Sequence, residues 1–195
     1  LLVAAFPLKS FTDFCASTFG PNWNDPLYKV QNGTMSIMAL VAVMGMAYVY
    51  AKNEGVEPFS SAVLSLSTFL IITNDWVEFT PEGATEAFKV GSVIPRDWMG
   101  GKGMITAILV SLVVAWAYSL MIKKDMRIKM PEGVPEGVVN GFSALIPAAV
   151  IFIVADIVYA VFKFGFNSSL VEVIYKIVQQ PLQMASDSPF GAVIK

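Results

Sequence analysis

The hydrophobic pattern divides the chain into long charge-free runs joined by polar connections. Val30–Ala51 carries no charge over 22 residues, Pro58–Asn74 over 17 and Gly103–Ile122 over 20. Gly137–Phe162 is apolar in its core except for Asp156. A helix crossing a hydrocarbon layer about 30 Å thick needs about 20 apolar residues, so these runs predict membrane spans. Lipid leaves only helices and closed barrels as spanning structures. A barrel would show alternating strands of about ten residues, and the sequence has none. Leu170, Val173, Ile174, Ile177 and Val178 recur at helical spacing, which predicts an amphipathic helix on the membrane surface or against the bundle. Leu1–Leu8 reads as the tail of a hydrophobic helix, and DSPFGAVIK at the other end as the start of another apolar run. The expectation is an all-α polytopic membrane protein with about four to five spans plus an amphipathic helix. Residues 1–195 are expected to form a single membrane domain, a piece of a longer chain.

The connections differ in character. Residues 9–29 are turn-rich, with Gly20, Pro21, Asn24 and Pro26, and are interleaved with Phe11, Phe14, Phe19 and Trp23. This reads as a loop whose aromatics sit at headgroup level or pack beneath it. Asp75–Lys102 is the longest polar stretch, with five acids against three bases and room for a short hairpin. Gly100-Gly101-Lys102-Gly103 lacks the spacing of a phosphate loop and reads as a flexible lead-in to the next helix.

Within the spans, Gly103, Ala107, Ser111, Ala115 and Ser119 fall at every fourth position. An i+4 row is one ridge of a helix. Small residues on it predict a close helix contact, within a protomer or between two. Val30–Ala51 is rich in Met and small residues and reads the same way. The hydroxyls of Pro58–Asn74 are expected to bond back to the helix or across to a neighbour. Asp156 is the intramembrane carboxylate, a class of residue that marks function by default. It lies seven residues from Lys163, roughly 10 Å by helical rise, so it also fits a wet interface or structural pairing.

Composition narrows the chemistry. Only 14% of residues are charged, against about a quarter in soluble domains. The net charge of −2 gives no electrostatic basis for binding nucleic acid. Histidine is absent and Cys15 stands alone, which removes the usual metal ligands and disulfides. No metal or cofactor is expected.

Charge also orients the chain. Lys52–Pro58 and Lys123–Gly141 hold five bases in about 26 residues: Lys52, Lys123, Lys124, Arg127 and Lys129. The opposite set of loops holds seven bases in about 73 residues. By the positive-inside rule, loop 123–141 is cytoplasmic and loop 74–102 external.

The cytoplasmic loop carries a family resemblance. Ile128, Lys129, Met130, Pro131, Val134, Pro135, Val138, Phe142, Leu145, Ile146 and Pro147 match a run in the lactose/cellobiose/diacetylchitobiose group of enzyme IIC. These are sugar permeases of the bacterial phosphotransferase system. TFGPNW at Thr18–Trp23, FTPEGA at Phe79–Ala84 and GGKGMITAI at Gly100–Ile108 also resemble the family. Glu136 stands where the family usually has a second proline. Lys129, Pro131, Gly133 and Pro135 are therefore the loop-motif candidates.

The resemblance implies a multi-pass permease of the bacterial plasma membrane that moves a disaccharide inward. The sugar is phosphorylated from a phosphocysteine on a IIB partner, which works with IIA. It implies a homodimer whose oligomerisation part is the first half, represented here. The sugar-binding half would follow, so no catalytic or substrate-binding residue is assigned to this chain. Cys15, in an external loop, is not the IIB cysteine. Two other readings stay open: an ion-coupled secondary transporter using Asp156, and a membrane scaffold without a transport role.

Overall fold

A computed structural model of the protein describes residues 9–81, 86–131 and 133–181. The apolar ends at 1–8 and 187–195, on which the fragment expectation rested, lie outside the described residues. Three helical stretches among the described residues are long and apolar enough to cross a membrane: Asp25–Asn53, Gly101–Lys123 and Gly137–Phe166.

The segment expected as a loop at 9–29 is largely helical. Helix α1 is Lys9–Phe19 and α2 is Asp25–Thr34. Only the turn between them uses the Gly-Pro-Asn chemistry; Pro26 sits in the first turn of α2, where a missing N–H costs nothing. Phe14 and Phe19 are exposed rather than packed beneath the segment, and Cys15 is buried. A 3₁₀ turn at Met35–Ile37 then leads into α3, Met38–Asn53.

Helix α4 is Pro58–Ile71, started by Glu57, whose carboxylate accepts from the backbone N–H groups of Phe59 at 2.9 Å and Ser60 at 2.7 Å. Its 14 residues rise about 21 Å, short of a bilayer core. The expected span at 58–74 is therefore a shorter helix followed by a buried turn at Thr73 and Asn74. The all-α expectation is modified at one place. Strands β1 (Trp76–Phe79) and β2 (Phe88–Gly91) form an antiparallel hairpin that pairs Trp76 with Gly91 and Phe79 with Phe88. A one-turn helix, α5 (Arg96–Met99), and a 3₁₀ turn at Gly101–Gly103 lead into α6, Met104–Lys123.

After the basic loop come α7 (Glu136–Ser143) and α8 (Leu145–Phe166). Pro147 explains the break between them: its ring and missing N–H disallow a helical bond to the carbonyl of Ser143. Asn167, in a left-handed conformation at φ 49°, ends α8. The last helix, α9, spans Leu170–Ile174 and passes into a π-helical turn at Tyr175–Gln179.

The core lies where α3, α4 and α6 meet, with α8 added on one side. Three of these helices contribute a ridge with a period of four residues. On α3 it is Ala39, Val43, Ala47 and Ala51; on α6 it runs Ala107, Ser111, Ala115, Ser119; on α8 it is Pro147, Ile151 and Ala155. Interdigitated i±4 ridges of small residues let helix backbones approach in lipid, where burial of apolar area cannot drive association.

Candidate functional site

The Gly103–Ser119 row is buried within the single chain. Around it lie Tyr118, Thr106, Val110 and Val114 of α6 and the serine face of α4, Ser61 and Ser65. The outward residues of α6, such as Val113 and Trp116, are exposed. A second copy of the chain can therefore reach the outward faces but not this row. Gly103 itself has no room to change. A Cβ there would lie 1.9 Å from the carbonyl oxygen of Trp98 and 3.2 Å from the ring of Phe69. The lead-in read from the sequence as flexible is a close-packed turn.

The hydroxyls of α4 and α6 follow both expected routes. Ser61 Oγ donates across to the carbonyl of Ala47 at 3.4 Å; Thr73 Oγ1 donates back to Phe69 at 2.7 Å, and Ser111 Oγ to Ile108 at 2.7 Å. Ser65, Thr68, Thr106 and Ser119 bury hydroxyls that have no partner among the described residues.

The basic loop is held by its own acids. Lys123 pairs with Glu54 of the α3–α4 turn, which ties the two ends of the bundle on this side. Asp125 accepts from Arg127 at 3.0 Å and also pairs with Lys129. Asp125 is outside the membrane-spanning helices. Hydrogen bonds from Lys129, then Arg127, hold its carboxyl below the usual carboxylate range. Ser143 Oγ of α7 donates to the carbonyl of Ile128 at 3.3 Å and fixes the loop against the next helix. Pro131, Gly133 and Pro135 are exposed. Gly133 adopts φ 96°, a left-handed conformation that a side chain strains, and Pro135 precedes the first turn of α7.

Asp156 lies on the exposed face of α8, between Ile153 and Ile157, and makes no ion pair among the described residues. On the same helix Lys163 Nζ donates to Tyr159 Oη at 3.0 Å. Between α6 and α8 runs an apolar groove of about 370 Å³. Val113, Val114, Val154 and Ala155 line it, and Thr68 lies at its floor.

The expected amphipathic stripe near 170–178 is only partly realised. Val171 is buried, whereas Ile177 is 69% exposed. The π turn is wider than an α turn and rotates the later residues away from the bundle. Glu172, off the apolar stripe, is a hub. It accepts from Asn74 Nδ2 at 3.1 Å and Ser168 Oγ at 2.6 Å, while its own N–H donates to the N-cap Ser169 at 3.3 Å. The S-x-x-E spacing of a capping box at Ser169–Glu172 was the available signal.

No group of three or more metal-ligating side chains occurs among the described residues. The site is therefore a set of packing ridges, a tied basic loop and polar surfaces at the two ends of a helical bundle. Residues 1–194 match the family model described as phosphotransferase system, EIIC. The chain belongs to the EIIC family of the phosphotransferase system. It is 34% identical over 194 residues to the cellobiose-specific EIIC component of Geobacillus stearothermophilus. It is 36% identical over 197 residues to the lichenan permease IIC component of Bacillus subtilis. In both cases all of the chain aligns with 43% of the relative. The crystal structure of the transporter ChbC, the IIC component of the N,N'-diacetylchitobiose-specific phosphotransferase system, superimposes with a TM-score of 0.86 at 36% identity. That match covers 98% of this chain and 44% of the ChbC chain. The EIIC chain thus spans less than half the length of these relatives, and the helical membrane fold expected from its hydrophobic runs is that of a solved EIIC transporter.

Proposed function

We propose that this EIIC chain is the oligomerisation half of a permease that moves a disaccharide of the cellobiose, chitobiose or lactose type inward. The sugar is phosphorylated on arrival by a IIB partner supplied through IIA. The observation that carries the reading is the ChbC likeness, in which fold and sequence agree over almost the whole chain. The buried ridges of α3, α4, α6 and α8 give this half the character of a rigid frame. It contains no assigned sugar-binding or catalytic residue.

The same proposal places the protein in the bacterial plasma membrane with loop 123–141 cytoplasmic and loop 74–102 external. Lys123, Lys124, Arg127 and Lys129 lie at one end of α6, and the acidic hairpin segment lies at the other, which supports that sidedness. It also includes a homodimer formed through outward-facing helix surfaces. The deciding measurement is sugar uptake by the full-length protein in vesicles loaded with IIA and IIB. Uptake should require phosphoenolpyruvate and release sugar phosphate inside. Uptake that followed a proton gradient and ignored phosphoenolpyruvate would favour the ion-coupled reading through Asp156. No uptake or binding of sugar would favour a scaffold.

A further inference from the structure

A polar cleft of about 570 Å³ opens at the hairpin end of the bundle. It forms where the base of β1, the segment Pro95–Trp98 and the start of α9 converge. Its walls include Trp76, Glu78, Arg96 and Trp98, and its floor the Asn74–Glu172 pair. Asn74 is 8% exposed, and its Nδ2 is committed to Glu172. Glu172 is held in turn by Ser168. The two indoles are fixed as well: Lys89 Nζ sits 4.2 Å from the Trp76 ring, and Trp98 meets Tyr175 edge-on at 5.7 Å.

We propose that this cleft is an external docking site for the unphosphorylated disaccharide, occupied before the sugar reaches the transport half. The proposal rests on the permease reading and on its sidedness. Three features set the ligand class. Two anchored indoles offer flat apolar faces, which suit the C–H faces of pyranose rings. A buried carboxamide and fixed carboxylates offer acceptors for hydroxyl groups in a cavity of the size that small-ligand sites take, about 300–1,000 Å³. The carboxylates Glu78, Asp97 and Glu172 are matched by Arg96 in the lining, Lys89 over Trp76 and Lys102 paired with Asp97, so the cleft carries little net charge and suits an uncharged sugar.

The test uses the full-length protein in right-side-out vesicles loaded with IIA, IIB and phosphoenolpyruvate, with cellobiose as the probe. Binding that precedes transport without changing the transport step raises KM and leaves kcat alone when it is lost. Trp76→Ala should raise the KM for uptake about tenfold, which corresponds to about 1.4 kcal/mol, with kcat within about twofold. Trp98→Phe, which keeps an aromatic face against the core, should raise it less. Trp76→Leu keeps apolar volume at the hairpin base and is read in the same way if the alanine variant does not accumulate. Unchanged KM in the tryptophan variants, alongside normal wild-type uptake, overturns the docking site. Absence of phosphoenolpyruvate-dependent uptake in the wild type overturns the permease reading instead.

Discussion

Gly103 and Trp98 touch through their backbones: a Cβ on the glycine would sit 1.9 Å from the tryptophan carbonyl oxygen. The chain turns tightly there, just before α6 enters the bundle. Gly103→Ala forces backbone to move, and we expect destabilisation of about 3 kcal/mol, the upper end of overpacking effects. Thermal unfolding of the purified protein in detergent checks this. A variant that melts with the wild type would show that the turn is loose.

The α6 row makes a graded prediction. Ala107, Ser111 and Ala115 are fully buried against neighbouring helices. Each single change to Leu should destabilise by about 1–3 kcal/mol, and the triple change should abolish folding. Val113→Leu, on the exposed face of the same helix, should stay within about 0.5 kcal/mol. Because the row is used inside one chain, the row variants should lose folded protein before they lose self-association. Size-exclusion chromatography of the surviving fraction separates the two.

Asp125 gives a pH prediction. Its folded-state carboxyl titrates below the usual value because Lys129 and Arg127 bond to the charged form. A depressed folded pKa gives a contribution that is full above the unfolded pKa of about 3.9 and is lost as pH falls through the folded value. Asp125→Asn should therefore loosen the loop at neutral pH, and the difference from wild type should vanish in acid. Amide exchange of residues 126–130 at pH 7 is the measurement; equal protection in both proteins would show that the ion pairs do not order the loop.

Asp156 should not face lipid in the full-length protein. A carboxylate at the membrane centre costs about 2.5–3.5 kcal/mol by insertion scales, and α8 leaves this one exposed without a partner among the described residues. A spin label at Asp156→Cys should meet a lipid-soluble quencher less than one at Val161→Cys, which lies on the opposite flank of α8. Equal quenching would place both in lipid.

Much of the frame was legible because lipid imposes a simple rule on sequence. Charge-free runs of bilayer length become helices, and the Gly103–Ser119 row is buried because its period is that of a ridge. The α3 ridge was harder to see. Gly45 and Ala47 looked alike as small residues, yet Gly45 is exposed and Ala47 is buried; only the register with Ala39, Val43 and Ala51 separates them. Residues 9–29 were misread because two helix boundaries, Gly20–Asn24 and Asp25–Pro26, look like one long loop when their turn residues are pooled. The polar cleft was not legible at all. Asn74 and Glu172 lie 98 positions apart, and the capping-box spacing that marks Glu172 says nothing of Asn74. A pair at that separation is defined by tertiary packing, which no local pattern encodes.

The burial of Cys15 has a practical consequence. Thiol chemistry needs an accessible thiolate, and the one cysteine in these 195 residues is sealed inside α1's packing. Maleimides added to this part of the protein should pass it by under native conditions. A cysteine placed in the hairpin, the basic loop or the face of α8 would then report alone. The orientation and the docking site can be mapped from either side of the membrane without first rebuilding the native sequence of this half.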